Sequence, residues 1–239
     1  MGDAELAVIA PCLNEELNVD PLVDRTLAAF ASIAAPCELV LVDDGSRDGT
    51  WSRIEARTAA NPRVRGVRHE KNRGIVGAWL SGLAATSAAL VCLIDSDLQN
   101  RPEDVPRLYE TFARTKADVV QAVRHPKQGM ERMVFSRGLN LILNATFGMR
   151  LCDNKSGFLL CRRETLRELL ADAPGYRYFQ GLIGAAAGVR GMSIVEVDTQ
   201  FDARAAGESF LSKFPVKVSL RLLGEVVRYR LDTLARPRR

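Results

Sequence analysis

Histidine and paired cysteines are scarce in this chain of 239 residues. Only two histidines occur, and the five cysteines form no Cys-x-x-Cys pair, which argues against a zinc cluster. An odd number of unpaired cysteines is typical of reduced thiols and predicts a cytosolic protein. The sequence also has no Gly-x-Gly-x-x-Gly after its first predicted strand, no Gly-Lys-Ser/Thr loop and no Gly-x-Ser-x-Gly. Their absence argues against dinucleotide, P-loop and serine-hydrolase chemistry.

Long apolar runs are equally absent. Residues 75–94 come nearest to the length of a membrane span, but they contain five glycine, serine and threonine residues and divide into a helix and a strand. We therefore predict no span there. The first residues have neither the basic start and apolar core of a signal peptide nor a myristoylation motif, so we expect a cytoplasmic location.

Charge is unevenly distributed along the chain. The formal net charge is +4, yet the last 30 residues hold eight Lys or Arg against two acidic residues, which leaves −2 for the first 209. So mild a balance predicts no nucleic-acid partner, whereas a basic C-terminal segment fits an anionic membrane surface. The apolar content of 47% is ordinary for a globular protein with a sizeable core.

Strand-like and helix-like segments alternate through the first half of the sequence. The predicted strands are 6–10, 38–43, 64–67, 89–94 and 118–123, and the predicted helices are 19–30, 48–60, 75–85 and 103–114. This alternation predicts an α/β fold with a mostly parallel central sheet flanked by helices. The second half adds strands at 158–161 and 194–197, and helices at 130–147, 164–170, 179–187 and 216–234. We expect a main domain at 1–212 and a basic amphipathic helix and tail at 213–239.

The last predicted helix has one apolar face and basic residues elsewhere. Its apolar face carries Leu220, Leu223, Val227, Leu231 and Leu234. Such a helix either lies peripherally on the cytoplasmic face of an anionic membrane or packs on the core with its basic residues in water. The sequence leaves both possibilities open.

A short apolar run at residues 90–94 ends in two carboxylates, Asp95 and Asp97, with Gln99 two residues further on. Buried carboxylates are unfavourable unless they are paired or bind metal. In open α/β sheets, ligands lie beyond the carboxyl ends of the strands. Hard oxygen ligands in this position suit Mg²⁺ or Mn²⁺ holding a diphosphate.

Three loops, 11–18, 43–46 and 95–99, are predicted to meet at that edge, because parallel strands end together. Glu15 or Asp43 can accept a hydrogen bond from a base N–H or a ribose hydroxyl, and the glycines after Asn72 let backbone approach a nucleotide closely. Residues 44–55 nearly match the calcium loop of an EF-hand. A β-rich segment precedes them where a helix is required, so we do not favour calcium.

Four motifs together resemble family 2 glycosyltransferases of the GT-A fold. They are Ala10-Pro-Cys-Leu-Asn-Glu-Glu-Leu-Asn18, Val42-Asp-Asp-Gly-Ser-Arg-Asp-Gly-Thr50, Asn72-Arg-Gly74 and Asp95-Ser-Asp-Leu-Gln99. Within that family, later segments resemble dolichyl- or polyprenyl-phosphate mannose synthases. These segments include Asp153-Asn-Lys-Ser-Gly-Phe158 and Arg204-Ala-Ala-Gly-Glu-Ser209. The resemblance covers residues 5–212.

The resemblance implies roles for individual residues. It assigns nucleotide-sugar binding to Pro11, Asn14, Glu15, Asp43, Asp44, Asn72, Gly74, Asp95 and Ser96. It assigns metal binding to Asp95, Asp97 and Gln99, and phosphate binding to Arg124, Arg137, Arg204 and Ser209. The residues it implies to be catalytic are Asp95, Asp97, Arg137 and Arg204.

The implied reaction is inverting transfer of a hexose from a nucleotide-diphosphate sugar to a polyprenyl phosphate, with Mg²⁺ or Mn²⁺. A phosphate acceptor is ionised at neutral pH and needs no general base, whereas a hydroxyl acceptor needs one, for which Asp153 is the candidate. Transfer to a saccharide or protein hydroxyl is therefore the alternative, and a non-catalytic nucleotide-sugar-binding module is a third. The donor base, the donor sugar and any separate membrane-protein partner stay open.

Overall fold

A seven-stranded sheet lies at the centre of the computed structural model. The structure describes residues 4–126, 130–154, 156–202 and 215–235, with backbone alone at 125–126, 130–137, 139 and 215–220. The strands are β1 (Leu6–Cys12), β2 (Cys37–Asp43), β3 (Val64–Arg68), β4 (Leu90–Leu93), β5 (Val119–Pro126), β6 (Leu159–Arg162) and β7 (Ile194–Phe201). The helices are α1 (Glu16–Phe30), α2 (Thr50–Ala60), α3 (Gly74–Ala84), α4 (Val105–Thr115), α5 (Met130–Phe147), α6 (Arg163–Leu170), α7 (Ile183–Val189) and α8 (Pro215–Ala235). Short 3-10 turns, Pro102–Asp104 and Phe179–Leu182, precede α4 and α7.

The strand order is β3-β2-β1-β4-β6-β5-β7. Every strand except β6 runs in one direction, and β6 pairs antiparallel with both β4 and β5. The predicted mostly parallel α/β fold is therefore confirmed, with one reversal that the strand-helix alternation did not predict. Because β6 runs backwards, the loop that leads into it lies at the same edge as the carboxyl ends of the other strands.

Helices cover both faces of the sheet. Alternate residues of the central strands point to opposite sides, as strand geometry requires. On one side, Ile9 and Leu93 pack with apolar residues of α3, α5, α6, α7 and α8. On the other, Val8 and Cys92 pack with residues of α1, α2 and α4. Apolar runs without polar alternation, as in β2 and β4, follow from burial on both faces.

The predicted elements all appear, and α5 has the predicted bounds. The first strand continues beyond its expected end at residue 10 through Pro11 to Cys12. The Ile9 carbonyl accepts the backbone N–H of Ile94 from the β4 side of the strand. The backbone nitrogen of Pro11, two residues later, points to the same side, where no strand pairs with it because β4 ends at Leu93. Its missing N–H therefore removes no hydrogen bond from the sheet.

The C-terminal helix α8 packs on the core through a face other than the one predicted to be apolar. Its Leu222, Val226 and Tyr229 are buried. Of the predicted face, Leu223 is partly buried against the core, whereas Val227 and Leu231 remain exposed, with relative accessibilities of 60% and 61%. The helix thus has two apolar stripes, one against the protein and one facing water. Among the described residues, no helix is long and apolar enough to cross a membrane.

Candidate active site

The carboxyl ends of the parallel strands bring the three predicted loops into contact. The backbone N–H of Asp44 donates to the Cys12 carbonyl at 2.8 Å, and that of Asn14 donates to Ser46 Oγ at 2.9 Å. Ser96, in the loop after β4, lies close to the Cys12 thiol, which donates to the Ala10 carbonyl at 3.6 Å. Burial raises the pKa of Cys12 to about 12, so this thiol stays protonated at neutral pH.

Asn14 and Glu15 hold the first loop against the second. Asn14 adopts a left-handed φ of 55°, and its Oδ1 accepts from the Arg47 backbone N–H at 2.9 Å. The backbone N–H of Glu15 donates to Thr50 Oγ1 at 2.8 Å, and its carboxylate accepts from Asn18. Both residues were predicted to bind the nucleotide sugar, and in the structure they also fix the shape of the loop.

Asp43, the last residue of β2, is fully buried in register with Cys12, the last residue of β1, next to the half-buried Pro11. Its Oδ1 accepts from the Ser46 backbone N–H at 2.9 Å. Its Oδ2 has no hydrogen-bond partner among the described residues, although Arg68 Nε lies 3.8 Å away. A buried carboxylate oxygen in this state is unfavourable unless a ligand donates to it. Since the Arg68 side chain is 56% exposed, a ligand that displaces it can reach this oxygen.

Asp44, the next residue, is fully engaged with the protein. Its Oδ1 accepts from the Arg73 backbone N–H at 2.8 Å, and its Oδ2 accepts from that of Gly74 at 2.9 Å. Asn72 Oδ1 accepts from the same Gly74 N–H at 2.9 Å. Gly74 has φ of +77°, a conformation that favours glycine. Asp44 therefore fixes the predicted 72–74 loop beside the site.

His69, which the sequence did not single out, completes this corner. It is buried, with Nδ1 2.7 Å from Asp44 Oδ1 and Nε2 2.8 Å from Ser81 Oγ of α3. Gly45 lets the two loops approach, because a Cβ there would lie 2.8 Å from the backbone of residues 71–72. The only signal for His69 in the sequence is a polar residue directly after a strand.

Side chains alternate in exposure along the loop after β4. Asp95, Asp97 and Gln99 are partly exposed, and the residues between them are buried. The chain achieves this with Leu98, which is buried in the left-handed region at φ 62°. Such a conformation costs a non-glycine residue roughly 1–2 kcal/mol, and strain of this kind is common at functional sites.

The polar side chains of this loop are hydrogen-bonded to neighbouring residues. Asp95 accepts from Asn100 Nδ2 at 3.3 Å and from Gln180 Nε2 at 3.4 Å. Asp97 Oδ1 accepts from the Gln99 backbone N–H at 3.1 Å, and Gln99 Nε2 donates to a main-chain carbonyl at 3.3 Å. Among the described residues, no three His, Cys, Asp or Glu side chains converge as a ready-made metal site. Two carboxylates and an amide nonetheless fit Mg²⁺ or Mn²⁺, which complete their coordination with substrate phosphates and water.

Arg124 of β5 forms a bidentate ion pair with Asp153, in the loop before β6. Its Nε lies 2.6 Å from Oδ2 and its Nη2 lies 3.0 Å from Oδ1. The guanidinium also stacks over the Phe201 ring, 5.6 Å from the centroid. Burial opposes its charge, but the bond to Asp153 and the charges of Asp95 and Asp97 raise the pKa of Arg124 above its ordinary value. A fixed cation therefore lies within electrostatic range of the acidic pair.

Asp153 is itself held by residues that the sequence did not indicate. Glu196 of β7 accepts the Asp153 backbone N–H at 3.0 Å. Asn140 and Asn144 of α5 both donate to the Leu151 carbonyl, at 2.7 and 2.9 Å. No sequence motif links these positions, because the contacts depend on how β7 and α5 pack around the reversed strand.

Three predicted residues fall outside the part of the chain whose side chains are described. Arg137 belongs to the part of α5 of which only the backbone is described, and Arg204 and Ser209 lie outside the described residues. Their assignment to phosphate binding stays a prediction from the resemblance.

Residues 7–170 match the family model described as Glycosyl transferase family 2. The chain is 33% identical over 167 residues to the undecaprenyl-phosphate 4-deoxy-4-formamido-L-arabinose transferase of Pectobacterium atrosepticum, covering 69% of this chain and 51% of that protein. It is 28% identical over 224 residues to the dodecaprenyl-phosphate galacturonate synthase of Rhizobium johnstonii, covering 92% and 64%. The chain thus spans about half the length of the first of these relatives.

Among solved structures, the chain resembles glucosyl-3-phosphoglycerate synthase from Mycobacterium tuberculosis in complex with Mn²⁺, UDP and glucosyl-3-phosphoglycerate. The TM-score is 0.64 at 26% identity, and the match covers 97% of this chain and 78% of that one. The same protein has also been solved with Mg²⁺ and UDP.

Proposed function

The chain belongs to glycosyl transferase family 2, and on this premise we propose that it transfers a sugar from a nucleotide-diphosphate sugar to a polyprenyl phosphate. The observation that carries the proposal is one group of side chains at one edge of the sheet. A buried carboxylate with an unused oxygen (Asp43), a partly exposed carboxylate pair (Asp95 and Asp97) and a half-buried arginine (Arg124) lie there together. Support for the acceptor comes from the two relatives named for polyprenyl phosphates.

The donor nucleoside is proposed to bind at the ends of β1 and β2. Asp43 Oδ2 accepts a base N–H or a ribose hydroxyl there, and Pro11 and Glu15 line the same corner. The 72–74 loop, held by Asp44, closes the other side. The diphosphate then extends toward the loop after β4, where Asp95 and Ser96 follow the buried strand.

Asp95, Asp97 and Gln99 are the residues that would hold a divalent cation. When bound, Mg²⁺ or Mn²⁺ neutralises the charge that develops on the departing diphosphate. Arg124 contributes a further positive charge that stays protonated. In our proposal, hydrogen bonds from Arg137, Arg204 and Ser209 bind the phosphates of the sugar donor and of the acceptor.

The acceptor step is proposed to need no general base. A phosphate oxygen attacks the anomeric carbon, the bond from that carbon to the diphosphate oxygen breaks, and the diphosphate leaves with the electron pair. Inversion follows from attack on the face opposite the leaving group. Asp153, the candidate base for a hydroxyl acceptor, has both carboxylate oxygens bonded to Arg124, which favours an acceptor that is already ionised.

A hydroxyl acceptor is the second candidate, because the solved structure that covers 97% of this chain belongs to a glucosyl-3-phosphoglycerate synthase. In that case Asp153 would have to leave Arg124 to accept a proton. Transfer assays decide between the two acceptors. We expect protein with Mn²⁺ and a panel of UDP-, GDP- and dTDP-sugars to glycosylate a short-chain polyprenyl phosphate and not 3-phosphoglycerate. Nucleotide binding without transfer to any acceptor would instead indicate a binding module.

A lipid acceptor requires contact with a membrane, and the exposed stripe of α8 is our proposal for that contact. Val227, Leu231 and Leu234 lie on one side of the helix and are 60–64% exposed. Arg221 and Arg228 lie beside them. A stripe of this kind enters the interface of an anionic bilayer, where each basic residue near the surface adds about 1 kcal/mol. The protein would then sit peripherally on the cytoplasmic face.

Replacing Leu231 with glutamate is expected to weaken binding to phosphatidylglycerol-containing vesicles by at least about 10-fold, since burying one leucine side chain contributes roughly 1.5–3 kcal/mol. Co-sedimentation measures the effect. The matched control is Leu17→Glu, which adds the same charge at a leucine 72% exposed on α1, on the opposite side of the sheet. Equal losses in both variants would count against α8 as the lipid-binding surface.

A further inference from the structure

The buried stripe of α8 lies against the short turn Phe179–Leu182. Tyr229 meets the Phe179 ring edge-on, with centroids 6.2 Å apart. Leu222 packs on Gly181, where an added Cβ would come within 3.3 Å of its methyl groups. The turn is therefore enclosed by the helix from its apolar side, and a change in how α8 is seated changes the position of the turn.

Glu225 of α8 holds the segment just before that turn. Its Oε1 accepts the Arg177 backbone N–H at 2.9 Å, and its Oε2 accepts that of Tyr178 at 2.9 Å. Two hydrogen bonds from one carboxylate to consecutive backbone groups fix the direction of the chain as well as its position. Hydrogen bonds of this charge-assisted kind contribute more than neutral ones.

Gln180 extends from this turn to the acidic pair. Its Nε2 donates to Asp95 Oδ1 at 3.4 Å. The side chain reaches that far by passing over Gly157, where an added Cβ would lie 2.5 Å from the same Nε2. The donor on Gln180 is thus directed at the carboxylate from the second half of the chain, over a residue with no side chain to block it.

We infer that Gln180 is a positioning residue for Asp95 and that Glu225 of the C-terminal helix holds Gln180 in place. The amide of Gln180 keeps Asp95 turned toward the diphosphate site, and the seating of α8 determines whether that amide is in reach. The inference rests on the proposed function in so far as Asp95 belongs to the site for cation and diphosphate. It adds a connection from the C-terminal helix to that site.

Three variants test the connection. Gln180→Met keeps the length of the side chain and removes its donor, and Glu225→Ala removes the acceptor of two backbone N–H groups. The matched control is Asp118→Ala, which removes a carboxylate that accepts the backbone N–H of Ser193 at 2.8 Å, at the start of β5. Each variant is compared with the full chain by amide hydrogen exchange without ligand, and by calorimetric titration of UDP and GDP with Mn²⁺.

We expect Glu225→Ala to speed exchange at least about 2-fold in residues 177–182 and also in residues 95–99, because both segments lose a support. Gln180→Met should speed exchange only at 95–99. Gln180→Met and Glu225→Ala should each weaken Mn²⁺-dependent nucleotide binding about 3- to 10-fold, the range of one lost hydrogen bond. Because Glu225 is inferred to act through Gln180, the double variant Gln180→Met with Glu225→Ala should bind nucleotide no more weakly than the weaker-binding single variant. Asp118→Ala should change neither readout.

Faster exchange confined to 177–182 in Glu225→Ala would overturn the inference, as would additive losses in the double variant. If the unmodified chain binds neither nucleotide with Mn²⁺, the proposed function fails, and the exchange comparison still decides whether Glu225 and Asp95 are connected. The two failures are thus distinguishable.

Discussion

Replacement of Asp97 by alanine should lower kcat/KM for sugar transfer by at least about 10³-fold, the scale at which a group that stabilises developing charge is removed. Asp97 is one of two carboxylates on the open side of the loop after β4. In the proposed site, loss of its charge removes one of the two carboxylates that would hold the cation on the departing diphosphate. Transfer rates measured over a range of Mn²⁺ concentrations check the expectation, since higher Mn²⁺ should not restore the rate.

The fold should tolerate this change. Asp97 is partly exposed and its Oδ1 accepts the Gln99 backbone N–H, an acceptor that Asp97→Asn retains while it removes the charge. We expect Asp97→Asn to unfold in urea as the unmodified chain does and to be as inactive as Asp97→Ala. The control is Asp24→Ala, at an exposed carboxylate of α1 that pairs with Arg57. Transfer by Asp97→Asn at near-normal rates would refute the role of Asp97 in cation binding.

The second large effect is expected for stability, at Asp44. Alanine at this position removes the acceptor of the Arg73 backbone N–H, one of the two acceptors of the Gly74 N–H, and the partner of the buried His69 Nδ1. Each hydrogen bond to a charged group contributes about 1.5–3 kcal/mol, so the loss of several at one carboxylate is expected to cost about 3–5 kcal/mol. The free energy of unfolding from urea titration should fall by that amount, and Asp44→Asn should recover part of it through its remaining carbonyl oxygen.

Its neighbour Asp43 should behave in the opposite way. Only Oδ1 of Asp43 accepts a hydrogen bond within the described residues, from Ser46. Asp43→Ala should therefore destabilise the fold by only about 1–1.5 kcal/mol. It should weaken nucleotide binding by roughly 10- to 100-fold, the range for a hydrogen bond to a charged group. If Asp43→Ala binds nucleotide normally while Asp44→Asn does not, the two residues have been given each other's roles.

Local patterns were sufficient to predict the elements and the loops that carry the acidic residues. The helix at 130–147 was predicted with the observed bounds, and the carboxylates after β2 and β4 were expected at one edge because parallel strands end together. Sequence reasoning named Asp43 as an acceptor for the base or ribose, but it also assigned Asp44 to nucleotide-sugar binding and did not indicate its structural role. Both residues lie at the end of the same buried strand, and only the position of the 72–74 loop decides which carboxylate has both oxygens hydrogen-bonded within the protein.

Contacts from the second half were beyond local reasoning. The direction of β6 depends on how the chain returns from α5, and the pairing of Arg124 with Asp153 exists only because that strand is reversed. The two apolar stripes of α8 show the same limit. Helical spacing identified Val227 and Leu231 as one apolar face. Tyr229, which lies between them in the sequence, is instead buried in the core, while both of those residues are exposed.

Because β6 is reversed, two separate parts of the sequence contribute to the site. The residues proposed to bind the nucleoside all lie before residue 100 in the sequence. Arg124, Asp153 and Gln180 belong to the later part of the chain, and they approach the earlier part at the shared edge of the sheet. Mutations in the later part of the chain can therefore change acceptor specificity while the earlier part still binds the same sugar donor. Hybrid proteins joined between β4 and β5 should inherit donor preference from one parent and acceptor preference from the other.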